Sequence, residues 1–238
     1  MRNPHGESRL INWCRRLGII CLVMAPLSVA AVRLGMSFKL GLPAFALACL
    51  LAAVAVLVLL LCAVLPRYQH HRRKAILGIL PALPPTILLA VMIAGRGDYP
   101  PIHDITTDTE NPPEFVVAIE KRGADSNSLE IKPEVIEQQL AYYTDLASIE
   151  SELDSSDAFS RAAEVAIELK WRIHNSDPAN GILEASYTSF WFGFVDDIVI
   201  RIRREDTGSE VDLRSVSRVG QSDLGANAAR IRAFVEQF

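Results

Sequence analysis

After Cys62 the sequence contains no cysteine, and after His174 it contains no histidine. The four cysteines, Cys14, Cys21, Cys49 and Cys62, lie in or beside long apolar stretches, so residues 100–238 have neither a disulfide framework nor a thiolate metal site. A segment of that length can build an adequate core without cross-links. General bases are scarce there too, because only His103 and His174 fall in it. Charge is missing from three long windows: residues 17–32, 40–66 and 75–95 contain no Asp, Glu, Lys or Arg. No proton relay or ion path built from charged side chains is signposted inside them.

What charge there is divides the chain. Residues 1–99 carry 11 Lys/Arg and two acids, a net +9, whereas residues 100–238 carry 13 Lys/Arg and 26 Asp/Glu, a net −13. An acidic domain repels phosphates, which argues against nucleic acid as a partner. The basic, apolar part reads as a membrane domain, residues 1–99, with three transmembrane helices at about 17–33, 40–66 and 75–95. Its partner is the lipid bilayer. The first span has a basic start like a signal peptide but no small-residue cleavage site before the second, so it reads as retained. Pro81, Pro84 and Pro85 should kink the third span. Ala44, Ala48 and Ala52 share one face of the second and allow close helix approach. The block reads as an anchor; a transporter would rest on the prolines alone.

Orientation follows from the basic flanks. Arg2, Arg9, Arg15 and Arg16 precede the first span, and Arg67, Arg72, Arg73 and Lys74 lie between the second and third, against only Arg33 and Lys39 in the remaining loop. Placing the richer segments in the cytoplasm of a bacterial inner membrane leaves residues 100–238 as a periplasmic domain. Arg96, closing the third span, reads as an interfacial cap, and the Arg96-Gly97-Asp98 tripeptide as coincidence.

The proline-rich stretch DYPPIHDITTDTENPPEF then reads as irregular chain, a linker or a strap along the domain. His103, Asp104, Asp108 and Glu110 lack the tight spacing of an oxygen-ligand loop, so no metal is expected. The remainder reads as α+β. A strand over 145–153 precedes a helix from Ser155 or Ser156 to Lys170, with Phe159, Ala162, Ala163, Ala166 and Leu169 on one stripe. Strands at 171–174, 182–192, 196–204 and 209–218 follow, and a last helix closes the chain. The expected order is β-α-β-β-β-β-α, an antiparallel sheet with helices on one face.

The hairpin register can be written from side-chain alternation. Arg203 facing Glu210 puts Arg201 opposite Asp212, with Ile202–Val211 and Ile200–Leu213 on the other face. Arg201, Arg203, Glu210, Asp212 and Arg214 then read as a solvated surface. The same register sets Asp196 opposite Ser217 on the inner face, where a carboxylate needs partners.

FWFGFVDDIVIRIRRED followed by VDLRSVSRVGQSDLGANAARIRAF resembles the bacterial and plastid family called domain of unknown function 1499. The resemblance covers roughly residues 100–238 and includes IHDITTD…NPPEF, which it implies belongs to the folded domain. It implies no reaction, substrate or cofactor.

The stretch SRVGQSDLGANAARIRAF explains part of itself. Ser222 or Asp223 is a natural N-cap, and Leu224, Ala228, Ile231, Val235 and Phe238 form one apolar stripe. What remains is a polar cluster of Asp196, Asp197, Ser217, Arg218, Ser222, Asp223 and Asn227, with Arg218 facing Asp196. It reads as a structural lock or as a ligand site, and no catalytic residue or cofactor is assigned. The expected function is an uncharacterised membrane protein with an extracytoplasmic binding or interaction module, taking a protein or a small molecule. A cavity between sheet and last helix, with aromatic residues 190–194 at its mouth, would suit that role. The alternative is a membrane-anchored hydrolase built around Ser217, Arg218 and Asp196, which would borrow His103 or His174 as base. Asp196 and Asp197 point to opposite faces of a strand and cannot act as an acid–base couple.

Overall fold

The computed structural model describes residues 4–95 and 97–238. The flanking charge at Arg2 and the interfacial cap expected of Arg96 lie outside the described residues. The chain divides between Gly97 and Asp98 into two compact units.

In the first unit, α1 (Pro4–Arg33) and α2 (Phe38–Val64) are followed by a third helical stretch, Pro66–Ala94. All three are long and apolar enough to cross a membrane. The third begins earlier than expected: Pro66–His71 is already a 3-10 turn, and Arg72 opens α3 (Arg72–Ile79). The α-helix is interrupted where the prolines are, by a 3-10 turn over Leu80–Ala82 that leads into α4 (Leu83–Ala94). Proline cannot donate to the preceding turn, and the Thr86 hydroxyl donates to the Ala82 carbonyl there at 2.7 Å. A Cβ on Gly18 would stand 2.9 Å from that of Ala82, so α1 can approach this turn only through a glycine. The seam of α2 is Gly41, Phe45, Ala48, Ala52, Ala55, Leu59 and Cys62, all buried, with Cys49 beside it. These alternate in steps of four and three, the period of helices that pack nearly parallel. Ala44, expected on that face, is half-buried beside the seam.

The second unit is a six-stranded antiparallel sheet with helices, α+β as expected. Four strands run consecutively: β3 (Arg172–Asp177), β4 (Ile182–Thr188), β5 (Val195–Arg204) and β6 (Ser209–Ser217). The β5–β6 register is the expected one, with Arg203 opposite Glu210, Arg201 opposite Asp212 and Asp196 opposite Ser217. Beyond β6 the edge is shared by two short strands from separate parts of the chain. β1 (Asp104–Thr106) takes residues 214–216 and β2 (Ile149–Ser151) takes residues 209–211. Thr107 bridges the gap: its N–H donates to the Leu213 carbonyl and its hydroxyl accepts from the Leu213 N–H, both at 2.9 Å. The exposed groups of an edge strand are thereby covered.

On one face, α7 (Ser155–Glu168) and α8 (Ala226–Gln237) lie over the core. Ala162, Val165 and Ala166 from α7 meet Ile198, Ile200, Leu213 and Ile231, and Trp171 stacks on Phe234 at 5.7 Å between centroids. The opposite face, expected to be solvated, is buried as well. Residues 107–131, with the short α5 (Ala118–Lys121), cross it and pack Phe115, Ala118 and Leu129 on Val199, Val216 and Ile182. Next, α6 (Pro133–Tyr142) closes the edge of β1, where the Gln139 amide accepts from the Thr106 N–H at 3.0 Å and donates to its carbonyl at 2.6 Å.

Several expected elements shift. The strand over 145–153 shrinks to Ile149–Ser151, because the chain is still turning before it, with the Leu146 N–H donating to the Tyr143 carbonyl. The strand over 171–174 lengthens to Asp177 through an irregularity at His174, and the one over 182–192 stops at Thr188. The α7 cap is neither Ser155 nor Ser156 but Asp154, whose carboxylate accepts from the N–H groups of Ser156 and Asp157, both at 2.9 Å. Asp154→Ala should cost about 1 kcal/mol in the unfolding of the detergent-solubilised protein, and Ser155→Ala only a few tenths.

Candidate functional site

The expected polar cluster does not converge on one point; the sheet divides it. On the helix side, the Arg230 guanidinium donates to Asp196 at 2.6 Å, to Asn227 at 2.5 Å and to the Ser215 hydroxyl at 3.0 Å, with its plane 4.9 Å from the Tyr187 ring. The Asn227 amide donates to the Ser217 hydroxyl at 3.0 Å and to the His103 carbonyl at 2.9 Å. Ser217 and Asn227 are both buried.

The turn before α8 receives the chain arriving at the domain. The Ser222 hydroxyl donates to the Pro100 carbonyl at 3.2 Å, the Asp223 N–H to the Ile102 carbonyl at 3.1 Å, and the Ser217 N–H to the His103 carbonyl at 2.9 Å. Leu224 and Gly225 are both left-handed, at φ +53° and +82°. A Cβ on Gly225 would lie 2.6 Å from the Tyr99 ring, so glycine is required there twice over. That turn throws Leu224 outward, so the stripe of α8 is Asn227, Ala228, Ile231 and Phe234, with Leu224 and Val235 exposed. The helix starts after Gly225, two residues beyond Asp223 and three beyond Ser222, the expected caps. Asp223 still supplies the capping carboxylate, accepting from the Gly225 N–H at 2.9 Å and the Asn227 N–H at 2.8 Å.

On the other side of the sheet, Arg218 pairs with Asp197 and not with Asp196, because alternation sends the two carboxylates to opposite faces. Asp197 is fully buried between two guanidiniums, Arg122 at 2.5 Å and Arg218 at 2.7 Å. Asn127 fastens the strap beside them through the carbonyls of Ser217 and Gly220. Farther along, Arg214 grips Asp104 through two bonds of 2.8 and 3.0 Å, donates to the carbonyls of Pro113 and Leu129, and lies over Phe115. Asp212 takes Arg201 at 2.8 Å, Arg203 at 3.1 Å, and the hydroxyls of Thr107 and Ser148. Glu184, fully buried, accepts from the N–H groups of Val116, Val117 and Ala118, the start of α5. Arg203 also pairs with Glu210. Of the residues expected as a solvated surface, Asp212 and Arg214 are thus buried and neutralised, 0% and 4% exposed, while Arg201, Arg203 and Glu210 are partly exposed.

Sequence reasoning missed Arg122, Asn127, Glu184 and Arg230. Arg230, three residues after Asn227 on the same helix face, was the findable one. Arg122 lies 75 residues from Asp197, and no local pattern links them.

Chemically, the arrangement is nearly saturated, with the Arg201 Nε–H buried without a partner. The Ser217 hydroxyl sits inside the lock, while the His103 ring nitrogen faces the Gln221 carbonyl at 3.4 Å. His174 meets Ser186 at 2.7 Å, and burial, then the charges of Lys121 and Arg172, hold its imidazole below the ordinary value. Among the described residues, no group of three or more His, Cys, Asp or Glu gathers that could hold a metal ion. The Tyr143 hydroxyl is buried without a partner, and burial, with Asp223 nearby, pushes it up to about 12. The space between the sheet and α8, expected as a cavity, is filled by the core. An open cleft of about 530 Å³ lies instead on the strap, lined by Phe115, Ile119, Leu129, Ile131 and Ile136, with Glu114 and Glu130 among the lining residues.

A membrane-spanning helical block joined to an α+β domain with a strapped, charge-neutralised sheet defines the class of protein. The chain belongs to the family described as a protein of unknown function, DUF1499, which matches residues 104–238. No curated protein matches the chain.

Removing Asp197 leaves two guanidiniums, 6% and 18% exposed, without their carboxylate. Asp197→Ala should cost about 3–5 kcal/mol in chemical unfolding, against about 1 kcal/mol for Ser222→Ala. Asp223 generates a pH dependence. Burial raises its carboxyl above the ordinary 3.8, opposed by the Asn227 and Gly225 N–H groups and reinforced by Asp196. The folded state therefore holds its proton longer than the unfolded chain, so this contribution is complete below pH 3.8 and lost as pH rises through the raised value. In Asp223→Asn, the slope of melting temperature against pH across that window should lose this component.

Proposed function

We propose that this is a bacterial inner-membrane protein that holds residues 98–238 in the periplasm as a binding or interaction module, with the N-terminus in the cytoplasm. The basic residues flanking the helices support the sidedness. The polar cluster of Asp196, Asp197, Ser217, Arg218, Ser222, Asp223 and Asn227 serves as a lock, since each member is spent on holding the strap or α8. The observation that carries the binding role is the cleft on the strap, whose walls are apolar and whose Ile119 is 58% exposed. A small molecule or a partner side chain with an apolar body suits it, and Glu114 and Glu130 favour a positive group. The hydrolase alternative around Ser217, Arg218 and Asp196 finds no support in the geometry, because the Ser217 hydroxyl contacts Asn227 and Arg218 lies across the sheet from Asp196.

Alkaline phosphatase fused after Phe238 should be active, and a cytoplasmic fluorescent reporter fused there should be dark; the reverse pattern defeats the sidedness. For the cleft, native mass spectrometry of the purified full chain should show an associated species that Ile119→Trp displaces. If neither a small molecule nor a cross-linked protein depends on position 119, the cleft is not the site.

A further inference from the structure

The loop joining β4 to β5 carries four aromatic residues in five positions, Phe190, Trp191, Phe192 and Phe194. At its tip Phe190 is 82% and Trp191 56% exposed. Such large side chains are costly to present to water side by side. The loop is nevertheless well built. The Ser189 N–H donates to the Phe194 carbonyl at 2.7 Å, and the Phe194 N–H donates to the Ser189 hydroxyl at 2.9 Å, which closes its base. Phe192 and Phe194 stack at 5.4 Å, and Phe190 meets Trp191 edge-on at 5.6 Å. Gly193, at φ +70°, makes the turn that lets Phe192 and Phe194 stack. A tip ordered in advance loses little conformational entropy when it docks.

Its place in the sheet says what it docks on. Thr188 and Val195 are the last β4–β5 pair, and the Val195 carbonyl accepts from Arg218 just past the end of β6. The adjacent Ser217 N–H donates to the carbonyl of His103, immediately before β1. The loop therefore springs from the end of the sheet at which the chain enters the domain, two strand spacings or about 10 Å from that point. The tether is short. The last membrane helix ends at Ala94, and the Tyr99 ring already lies against Gly225. The five chain steps between them reach at most about 18 Å.

We propose that Phe190 and Trp191 seat in the interfacial layer of the bilayer that the three helices cross, making the β4–β5 loop a second, non-covalent attachment of the domain to the membrane. Aromatic rings are at home there, with an apolar body toward the chains and, in tryptophan, an N–H toward the headgroups. Charge does not supply this attachment: residues 100–238 carry a net −13, and anionic headgroups repel them. The contact is consequently independent of anionic lipid. It is also independent of which side of the membrane the domain occupies, so it stands or falls apart from the sidedness read by the fusions.

The full chain has three tryptophans, Trp13, Trp171 and Trp191, and comparing it with Trp191→Phe isolates the loop. Both proteins are reconstituted into phosphatidylcholine liposomes with and without brominated acyl chains. Brominated lipid should quench a component of the fluorescence that Trp191→Phe lacks, and acrylamide in the water should quench that component weakly. Phe190→Ser should move it toward stronger acrylamide and weaker lipid quenching. A Trp191 component quenched by acrylamide and untouched by brominated lipid overturns the proposal. So does one shielded from both, which would mean the loop rests on protein, and so does lipid quenching that appears only with phosphatidylglycerol present.

Discussion

A sheet face that carries Glu184, Asp197, Asp212 and Arg214 at its centre can be buried only if every one of those charges meets a partner. Arg201 and Arg203 serve Asp212 from within the sheet, and the segment from Asp104 to Leu129 serves the others: Asp104 for Arg214, Arg122 for Asp197, and the N–H groups at the start of α5 for Glu184. Each pair is of little worth as an attraction set against its desolvation, but each is expensive to break. The strap is therefore fixed in register, because sliding it by a single residue would strand several buried charges together. The apolar contacts of Phe115 and Ala118 fill the spaces between these fixed points.

The same logic joins the two faces at one end of the sheet. Ser217 belongs to the helix side through its hydroxyl and to the strap through its carbonyl, which Asn127 holds. Its N–H binds the incoming chain at His103. The stretch SRVGQSDLGANAARIRAF is thus a receptor for residues 99–104 as much as the beginning of a helix. Chain entering the domain is gripped from Tyr99 onward.

How much of this was legible in the sequence depended on distance along the chain. The β5–β6 register could be written down because Arg203–Glu210 and Ile202–Val211 are local partners in one hairpin, and alternation admits one arrangement that suits both faces. The three membrane helices were legible because uncharged length is itself the signal. The solvated surface was the misreading. Its charges look satisfied within the hairpin, and nothing near them announces that residues 104–131 will cover them. The edge strand β1 and the helices α5 and α6 are short, and proline and polar residues around them mask any period. Arg122 and Arg230 escaped for different reasons: the first has its partner 75 residues away, the second hides among other polar residues of α8.

By itself, the sequence determined the two-part plan, the three apolar helices, the strand order of the hairpins, and the opposite facing of Asp196 and Asp197. Each of these follows from composition or from a period of a few residues. Only the tertiary structure decided which carboxylate meets which guanidinium, that the outer sheet face is covered, and that the polar cluster divides into two hydrogen-bonded groups on either side of one sheet. Those outcomes depend on where a long, irregular segment returns in space, and an irregular segment has no period from which its path can be read.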